Sequence, residues 1–434
     1  MAMAREATVF AVASGAGRAA VTVLRISGPQ TAAILDGLCR RRPSPRMATL
    51  RALRAATGEV LDRALVLWFP GPRSYTGEDS AELQLHGGGA VLAGVAAALV
   101  AHGARPADPG EFTRRAFLNG RLDLLQAEAI GDLVAAETEA QRRQALRQLE
   151  GALGALYGAW TARLTRMVAR EEALIDFPDE DLPPAVEAEQ ARDLAGLRQD
   201  LAAHLADNRR GERLREGLFF VVAGPPNAGK STLINALACR EVAIVSPLPG
   251  TTRDVLEVRV DIGGVPVTLL DTAGLRDSDD PVEAEGVRRA RSRVATADLV
   301  IELVDATLPA RIGIEPGAEA LVIATKIDLA PTPAGVELGV AAPTGVGLNA
   351  LHEHLATAAA RLTAQGGPPA LTRARHRAAL MEAAARLDSA AVAELPELRA
   401  EDLRLALRAI GRVTGEVGVE DILDSVFRQF CIGK

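Results

Sequence analysis

The sequence has 434 residues, 48% of them hydrophobic, 24% charged and 3% aromatic, with a formal net charge of -7. That length exceeds a single hydrophobic core, and a prior of about one domain per 150 residues gives roughly three. The composition excludes disordered and fibrous classes, and the negative balance argues against a protein whose main business is coating nucleic acid.

Cys39, Cys239 and Cys431 stand far apart, without CxxC spacing or a histidine at ligand distance, so neither a disulfide framework nor a zinc site is expected and a reducing cytoplasm fits. The longest apolar run, Ala90 to Ala101, falls short of the about 20 residues a bilayer crossing needs, and no membrane association is expected. Only three of the 49 basic residues are lysines: Lys230, Lys326 and Lys434. A chain that uses arginine nearly everywhere keeps lysine where a compact ammonium fits and a planar fork does not.

Taken in chain order, Ala7 to Ala13 follows Glu6 and precedes an arginine-rich body, which suits a first strand better than an export signal. Val21 to Ile26 and Ala64 to Phe69 read as strands between Gly, Pro and Ser turns, making residues 1–118 an α+β domain. The arginine clusters at Arg40 to Arg42, Arg114-Arg115 and Arg142-Arg143 read as solvated surface, with an RNA contact as the lesser reading. From Leu122 the period becomes 3.6, with Leu122, Leu125, Ala129, Ile130 and Leu133 on one face. A second stripe runs Leu146, Leu149, Leu153, Leu156, Trp160, Leu164 and Met167, so residues 119–214 form the first part of a helical domain. Its course breaks over the Pro-rich segment 176–184 and resumes over residues 186–207.

Around Leu218 strands begin to alternate with helices. The runs 218–223, 265–270, 299–304 and 320–324 are predominantly apolar, of the kind buried in a parallel sheet. Residues 255–262 alternate instead, and Gly263-Gly264 offers a hairpin turn. This α/β domain spans 215–365, is inserted in the helical domain, and ends at a Gly-Pro linker. Residues 366–434 return to helix, with stripes such as Leu403, Leu407, Ile410 and Ile422, Val426, Phe430.

The inserted domain carries nucleotide chemistry. Gly224-Pro225-Pro226-Asn227-Ala228-Gly229-Lys230-Ser231 follows one predicted strand and opens a helix, the setting a phosphate loop requires. Glycines let backbone N–H groups wrap phosphates, the helix N-terminus adds about half a positive charge, and Lys230 meets the β and γ oxygens. Asn227, Ala228, Gly229, Lys230, Ser231 and Thr232 form the binding set, with Ser231 suited to ligate Mg²⁺. Within Gly250 to Asp254, Thr251 and Thr252 offer hydroxyls, Thr252 as a second Mg²⁺ ligand. Asp271-Thr272-Ala273-Gly274 leaves a strand with its carboxylate toward the metal's water shell and the Gly274 N–H toward the γ-phosphate.

Thr325-Lys326-Ile327-Asp328 follows another strand, and Asp328 can accept two hydrogen bonds from guanine, an edge adenine lacks. Thr325 stands where most GTPases hold asparagine. Ala341-Ala342-Pro343 suits the loop that closes over the base. Leu275 takes the place of a water-orienting glutamine, so hydrolysis needs another device, and acidic candidates lie between Asp277 and Glu285.

These motifs and their flanks resemble the MnmE (TrmE) family of tRNA-modifying GTPases, from Arg5 to Lys434. The specific segments are Leu24-Arg25-Ile26-Ser27-Gly28, Tyr75-Thr76-Gly77-Glu78-Asp79, Pro109 to Gly120, Gly250 to Asp254, Asp271 to Arg276 and Phe430-Cys431-Ile432-Gly433-Lys434. The resemblance implies a folate-binding N-terminal domain that dimerises, a helical domain and an inserted Ras-like G domain. It implies GTP and GDP, Mg²⁺, K⁺ and 5-formyl- or 5,10-methylene-tetrahydrofolate as cofactors. An FAD-dependent MnmG-type partner and tRNA are implied as partners in adding a carboxymethylaminomethyl or aminomethyl group to C5 of a wobble uridine. It places K⁺ at Asn227, Ser246, Leu248 and Thr251, the water-orienting carboxylate at Glu283, and folate contacts at Arg25, Glu82, Arg121 and Lys434. Cys431 becomes a candidate for covalent chemistry, with an inert buried thiol as its other reading. The rival function is a regulatory switch of the ribosome-assembly kind without modification chemistry. Those relatives append a basic RNA-binding module with a GxxG loop, which this sequence does not carry.

Overall fold

The computed structural model describes residues 7–15, 17–176, 184–240, 257–271, 297–309, 319–336, 338–363, 369–417, 423, 426–428, 430 and 433. Two compact units divide the chain. The first comprises Met1–Gly131, Gln148–Arg166 and Arg404–Lys434, the second Asp132–Arg147 and Met167–Leu403.

In the first unit, β1 (Val9–Val12), β2 (Ala19–Ser27), helix α1 (Thr31–Cys39), β3 (Thr49–Arg54), β4 (Val60–Phe69), β5 (Ser80–Gly87), α2 (Gly89–Ala101), β6 (Arg105–Pro106) and α3 (Glu111–Leu118) follow one another. The strands form one sheet in the order β3-β4-β5-β2-β1-β6, antiparallel except for the parallel pair β1 and β6. Alternation decides its faces: Leu24, Ile26, Leu53, Val66, Leu83 and Leu85 point inward against Ile34, Leu35, Val95 and Leu99 of the two helices. The apolar run at Ala90 becomes a helix because alanine and leucine carry little side-chain entropy cost there. Among the described residues, no helix is long and apolar enough to cross a membrane.

Next come α4 (Leu124–Ala135), α5 (Glu139–Leu149), α6 (Ala152–Asp176), α7 (Pro184–Leu205) and α8 (Arg210–Glu216). On α4 the buried positions are Leu124, Leu125, Ala127, Glu128 and Ala129, a stripe shifted from the expected one, with Leu122, Ile130 and Leu133 only half-buried. The second expected stripe is interrupted at Gly151, whose φ of 89° lies in the left-handed region and separates α5 from α6. Beyond it Leu153, Tyr157, Trp160, Leu164 and Met167 are buried at helical spacing.

The second sheet contains β7 (Leu218–Ala223), followed by helix α9 (Lys230–Arg240), then β8 (Glu257–Ile262), β9 (Val265–Asp271), β10 (Leu299–Asp305), β11 (Ala320–Thr325) and β12 (Leu338–Val340). Helices α10 (Leu348–Thr363), α11 (Ala374–Val392) and α12 (Pro396–Thr414) complete the elements. The strand order is β12-β11-β10-β7-β9-β8, parallel except for β8. The β8–β9 hairpin turns on Gly263 and Gly264 at φ 63° and 83°, the positive pair a tight hairpin demands, and Asp261 accepts the Gly264 N–H at 2.7 Å. Phe220 and Val222 of the central strand meet Leu233, Ile234 and Leu237 of α9 in a core that also takes in Leu351 and Leu355 of α10. Each such side chain contributes roughly 1.5–3 kcal/mol on burial.

Helix α8 anchors this sheet. Arg213 pairs with Asp298 at 2.9 Å, and the other oxygen of Asp298 accepts the Phe219 N–H at 3.0 Å at the start of β7. Glu212 and Asp207 receive Arg377 of α11 at 2.7 and 2.6 Å.

In the first unit, Asp62 caps the end of β5 by accepting the His86 N–H at 2.9 Å and His86 Nδ1 at 2.7 Å, besides the Arg63 N–H. Burial opposes its charge, but these hydrogen bonds prevail and hold the carboxyl below its ordinary range. A carboxyl depressed by folding stabilises above its unfolded pKa and loses that contribution as pH falls through the folded value. Asp62→Asn therefore lowers stability at pH 7 by about 1 kcal/mol. Thermal melts of variant and wild type should converge as the pH drops below the ordinary aspartate range.

Candidate functional site

The carboxyl ends of the parallel strands, where open α/β sheets hold ligands, carry the motif residues. The loop after β7 turns at Asn227, φ 64°, and Gly229, φ 88°, before α9 begins at Lys230. Two left-handed residues within three positions curl the backbone so that successive N–H groups line a concave face. Ala228 is buried and its N–H closes the turn on the Pro225 carbonyl at 3.2 Å. Lys230 is 8% exposed, and its ammonium sits on the carbonyls of Gly224 and Pro225 at 2.9 and 3.0 Å, spanning the mouth of the loop. Thr232 and Asn227 are exposed.

One turn into the site, the Ser231 hydroxyl donates to Asp271 Oδ2 at 2.6 Å. Asp271 ends β9, the neighbour of β7, and is buried. A hydroxyl and a carboxylate converging within hydrogen-bond distance are the hard oxygen donors that suit Mg²⁺, so these residues fit that ion.

The base-reading end is built on β11. Thr325 is 4% exposed, and its hydroxyl donates to the carbonyl of Ala228 at 2.8 Å, tying this loop to the phosphate loop across β10. Lys326, at φ 58°, places its ammonium 2.5 Å from Asp305 Oδ2 at the end of β10. Asp305 also receives the Thr307 N–H and hydroxyl at 2.9 and 2.6 Å. Burial pushes its pKa up, but Lys326 and Thr307 outweigh that and hold it down. Asp328 is exposed one turn on. Ala341 is buried, with Ala342 beside it half-buried, and the Ala341 N–H donates to the Val346 carbonyl at 2.9 Å, closing a loop after β12. The Ile327 N–H reaches the Val340 carbonyl at 3.5 Å. Lys230, Ser231, Asp271, Thr325 and Lys326 thus share one edge of the sheet. Asp305 and Thr307 escaped sequence reasoning. Their hint was an Asp directly after an apolar strand, the same pattern that exposed Asp271.

A second constellation lies in the first unit. Arg25 on β2 pairs with Glu82 on β5, its register partner, at 2.9 Å through Nη2 and 3.2 Å through Nε. The guanidinium also lies 5.2 Å from the Tyr75 ring centre and 5.8 Å from that of Phe112. Beneath, buried Arg115 bridges Glu78 at 3.0 Å and Glu111 at 2.7 Å, and Glu78 accepts the Ser27 hydroxyl at 2.9 Å. Burial raises the Glu111 carboxyl, but Arg105, the Asp108 N–H and Arg115 overcome it and bring it below its ordinary range. A methyl group on Gly77 would meet Arg121 Cγ at 3.3 Å, so Arg121 reaches the same loop. Arg25, Glu82 and Arg121 are thereby gathered around residues 75–78. Gly433, at φ 102°, lies so close to Val12 that an added Cβ would fall 2.0 Å from its carbonyl oxygen, which seats Gly433 beside β1.

Ser246, Leu248, Thr251, Thr252, Thr272, Ala273, Gly274, Glu283, Cys431 and Lys434 lie outside the described residues.

A family model described as "MnmE helical domain" matches residues 124–431, and another, "GTP-binding protein TrmE N-terminus", matches residues 8–121. A tRNA modification GTPase MnmE of Gluconacetobacter diazotrophicus is 58% identical over 432 residues, covering 98% of each chain. The chain belongs to the MnmE family. Similar proteins of the same description occur in Granulibacter bethesdensis, 55% identical over 99% of this chain and 100% of that one, and Rhodospirillum rubrum, 54% identical over 98% and 99%. The family match runs through both constellations. Thr325 is where this chain departs from the usual GTPase pattern, and the structure gives its hydroxyl a partner.

If that hydroxyl braces the two loops, Thr325→Val weakens GDP binding by about 1 kcal/mol, roughly fivefold, while Thr325→Ser stays near wild type. Titration of the three proteins with a fluorescent GDP checks this; equal affinities would remove the brace.

Proposed function

We propose that this chain is a K⁺-dependent GTPase that, with an FAD-dependent partner of the MnmG type, adds a carboxymethylaminomethyl or aminomethyl group to C5 of wobble uridine in tRNA. 5-Formyl- or 5,10-methylene-tetrahydrofolate supplies the one-carbon unit, and the setting is cytoplasmic. The observation that carries the reading is the pairing of Ser231 with Asp271 on the same sheet edge as the Thr325 and Lys326 loop.

Lys230 and the N–H groups of the Asn227 to Ser231 turn receive the phosphates, and the helix dipole of α9 favours their charge. Ser231 and Asp271 would hold a Mg²⁺ ion, which would supply charge neutralisation at the triphosphate. Asp328 reads the guanine edge, with Lys326 fixed on Asp305 beside it. Glu283 orients water, and Asn227, with Ser246, Leu248 and Thr251, holds the potassium that offsets transition-state charge. These last roles rest on family resemblance.

For the folate, both hydrogen bonds from Arg25 fall on Glu82 Oε1, and among the described residues Oε2 accepts none, which leaves it for a pterin's paired donors. Arg121 and Lys434 suit the folate carboxylates, and Gly433, the chain neighbour of Lys434, lies against Val12 in the same unit as Arg121. Homodimerisation is supported by the open face of this sheet. Leu50 and its register partner Leu65 are 62% and 41% exposed, and Val21 52%, on the face that carries Arg25 and Glu82.

The decisive experiment combines the purified chain with the flavoprotein, tRNA, GTP, K⁺, methylene-tetrahydrofolate and glycine or ammonium, followed by mass analysis of wobble nucleosides. The expected product is the C5-modified uridine; steady GTP turnover without it would leave only a regulatory switch. Asp328→Asn should shift preference from guanine toward xanthine nucleotides, and an unchanged nucleotide profile would take Asp328 out of the base site. Replacing K⁺ by Na⁺ should slow hydrolysis several-fold, whereas indifference to the cation would undo the role of Asn227.

A further inference from the structure

The positive charges of this acidic chain are not spread evenly. Around the edge strand β3, the left-handed turn at Arg40 and the following loop bring Arg40, Arg41, Arg42, Arg46, Arg51 and Arg73 to one corner. Their contacts link them in sequence. Arg51 Nε donates to the Arg41 carbonyl at 3.2 Å, and the Arg42 guanidinium lies 4.6 Å above the Trp68 ring. The Arg46 N–H donates to the Trp68 carbonyl at 2.8 Å, its guanidinium lies 5.7 Å from the Phe69 ring, and its Nη2 bonds the Arg73 carbonyl.

What separates this corner from ordinary solvated surface is the kind of partner. Several exposed arginines elsewhere face carboxylates: Arg142 and Arg143 face Glu139, Arg198 faces Asp388, Arg361 faces Glu319, while isolated ones such as Arg192 bond a carbonyl of their own helix. Here only Arg42 has a carboxylate within reach among the described residues, Asp36 at 3.7 Å. The bonds of Arg46 and Arg51 go to carbonyls, which orient a guanidinium without neutralising it. Arg40, Arg41, Arg46 and Arg73 are exposed. The corner therefore keeps its charge, pre-oriented, on a protein of net charge -7.

We infer that this arginine corner beside β3 holds the sugar-phosphate backbone of the tRNA substrate. The inference rests on the proposed tRNA-modifying function and adds the surface. Guanidinium forks match phosphate oxygens two at a time, and arginine faces stacked on Trp68 and Phe69 offer planes to unstacked bases of a loop. An acidic bilayer would instead call for a basic amphipathic helix, and the corner is a loop and an edge strand.

The test uses full-length protein with its flavoprotein partner. Arg41→Glu/Arg46→Glu/Arg73→Glu is compared with wild type, with the matching lysine variant, and with Arg166→Glu/Arg192→Glu/Arg408→Glu, a control of equal charge change at other exposed positions. tRNA affinity is measured from low to moderate salt, beside thermal melts and tRNA-free GTP turnover. The corner swap should weaken tRNA binding at least tenfold and flatten the log-log salt slope by roughly 2 to 3, since each lost phosphate contact removes about 0.7–0.9. Melting temperature and GTP turnover should hold, and the lysine variant should keep most of the slope. Unchanged affinity in the corner variant, or an equal loss in the control, overturns the inference alone. Wild type that binds no tRNA with its partner present overturns the tRNA-modifying reading and the corner together.

Discussion

A single buried hydrogen bond, from the Thr325 hydroxyl to the Ala228 carbonyl, joins the two loops on which nucleotide recognition depends. It spans a strand: β11 carries the donor, β7 leads into the acceptor, and β10 lies between them. The bond can exist only because these strands run parallel in register, so that their carboxyl ends emerge together. From the other side β9 delivers Asp271 to Ser231 under the same constraint. A slip of one residue in the pairing of β11 or β9 would turn Thr325 or Asp271 to the opposite face. The sheet's apolar runs, including the wholly buried β10, hold that register.

The first unit solves a different problem, keeping Arg25 in place on a face that is partly open. The device is a set of buried charges below it. Arg115 is buried between Glu78 and Glu111, and Glu111 is shared with Arg105 at 2.7 Å. Such a set contributes little net stability over an apolar core, but removing one member leaves an uncompensated charge and costs about 3–5 kcal/mol. Its value is positional. The hydroxyls of Ser27, Thr76 and Ser80 fill the remaining acceptors and donors, fixing the loop 75–79 that carries Tyr75 against Arg25. At the β3 corner the opposite rule holds for Arg46 and Arg51, whose carbonyl partners orient them without neutralising their charge.

The G-domain sheet is legible because its parallel strands are predominantly apolar and its loops carry residues whose chemistry admits few alternatives. The strands beginning at Leu218, Val265, Leu299 and Ala320 start where expected, and three of them extend one residue further, to Asp271, Asp305 and Thr325. Those extra residues are the polar ends at which the site begins, and a hydrophobic criterion stops one position early at each. The helical stripes were read less well. Glu128 is fully buried on α4, and a hydropathy pattern assigns a glutamate outward. Tyr157 was passed over for Leu156, and Gly151 breaks a stripe that looked continuous, because periodicity takes no account of a left-handed residue. The pairing of Arg25 with Glu82 was out of reach of spacing alone, since 57 residues separate them and only the β2–β5 register brings them together.

The junction at α8 bears on how nucleotide chemistry could reach the rest of the second unit. This short helix is held on three sides: Gln141 and Gln144 of α5 donate to the carbonyls of Arg215 and Gly211, Arg377 of α11 grips Glu212, and Arg213 grips Asp298. Asp298 is the sheet's own contact, since its second oxygen holds the N–H of Phe219 where β7 begins. The strand that ends in the phosphate loop therefore starts at a charged clamp shared with the helices. Burial raises the Asp298 carboxyl, while the Phe219 N–H and Arg213 pull it back. The strand between that clamp and the phosphate loop is six residues long and paired on both sides, to β9 and β10, so one continuous element joins the two.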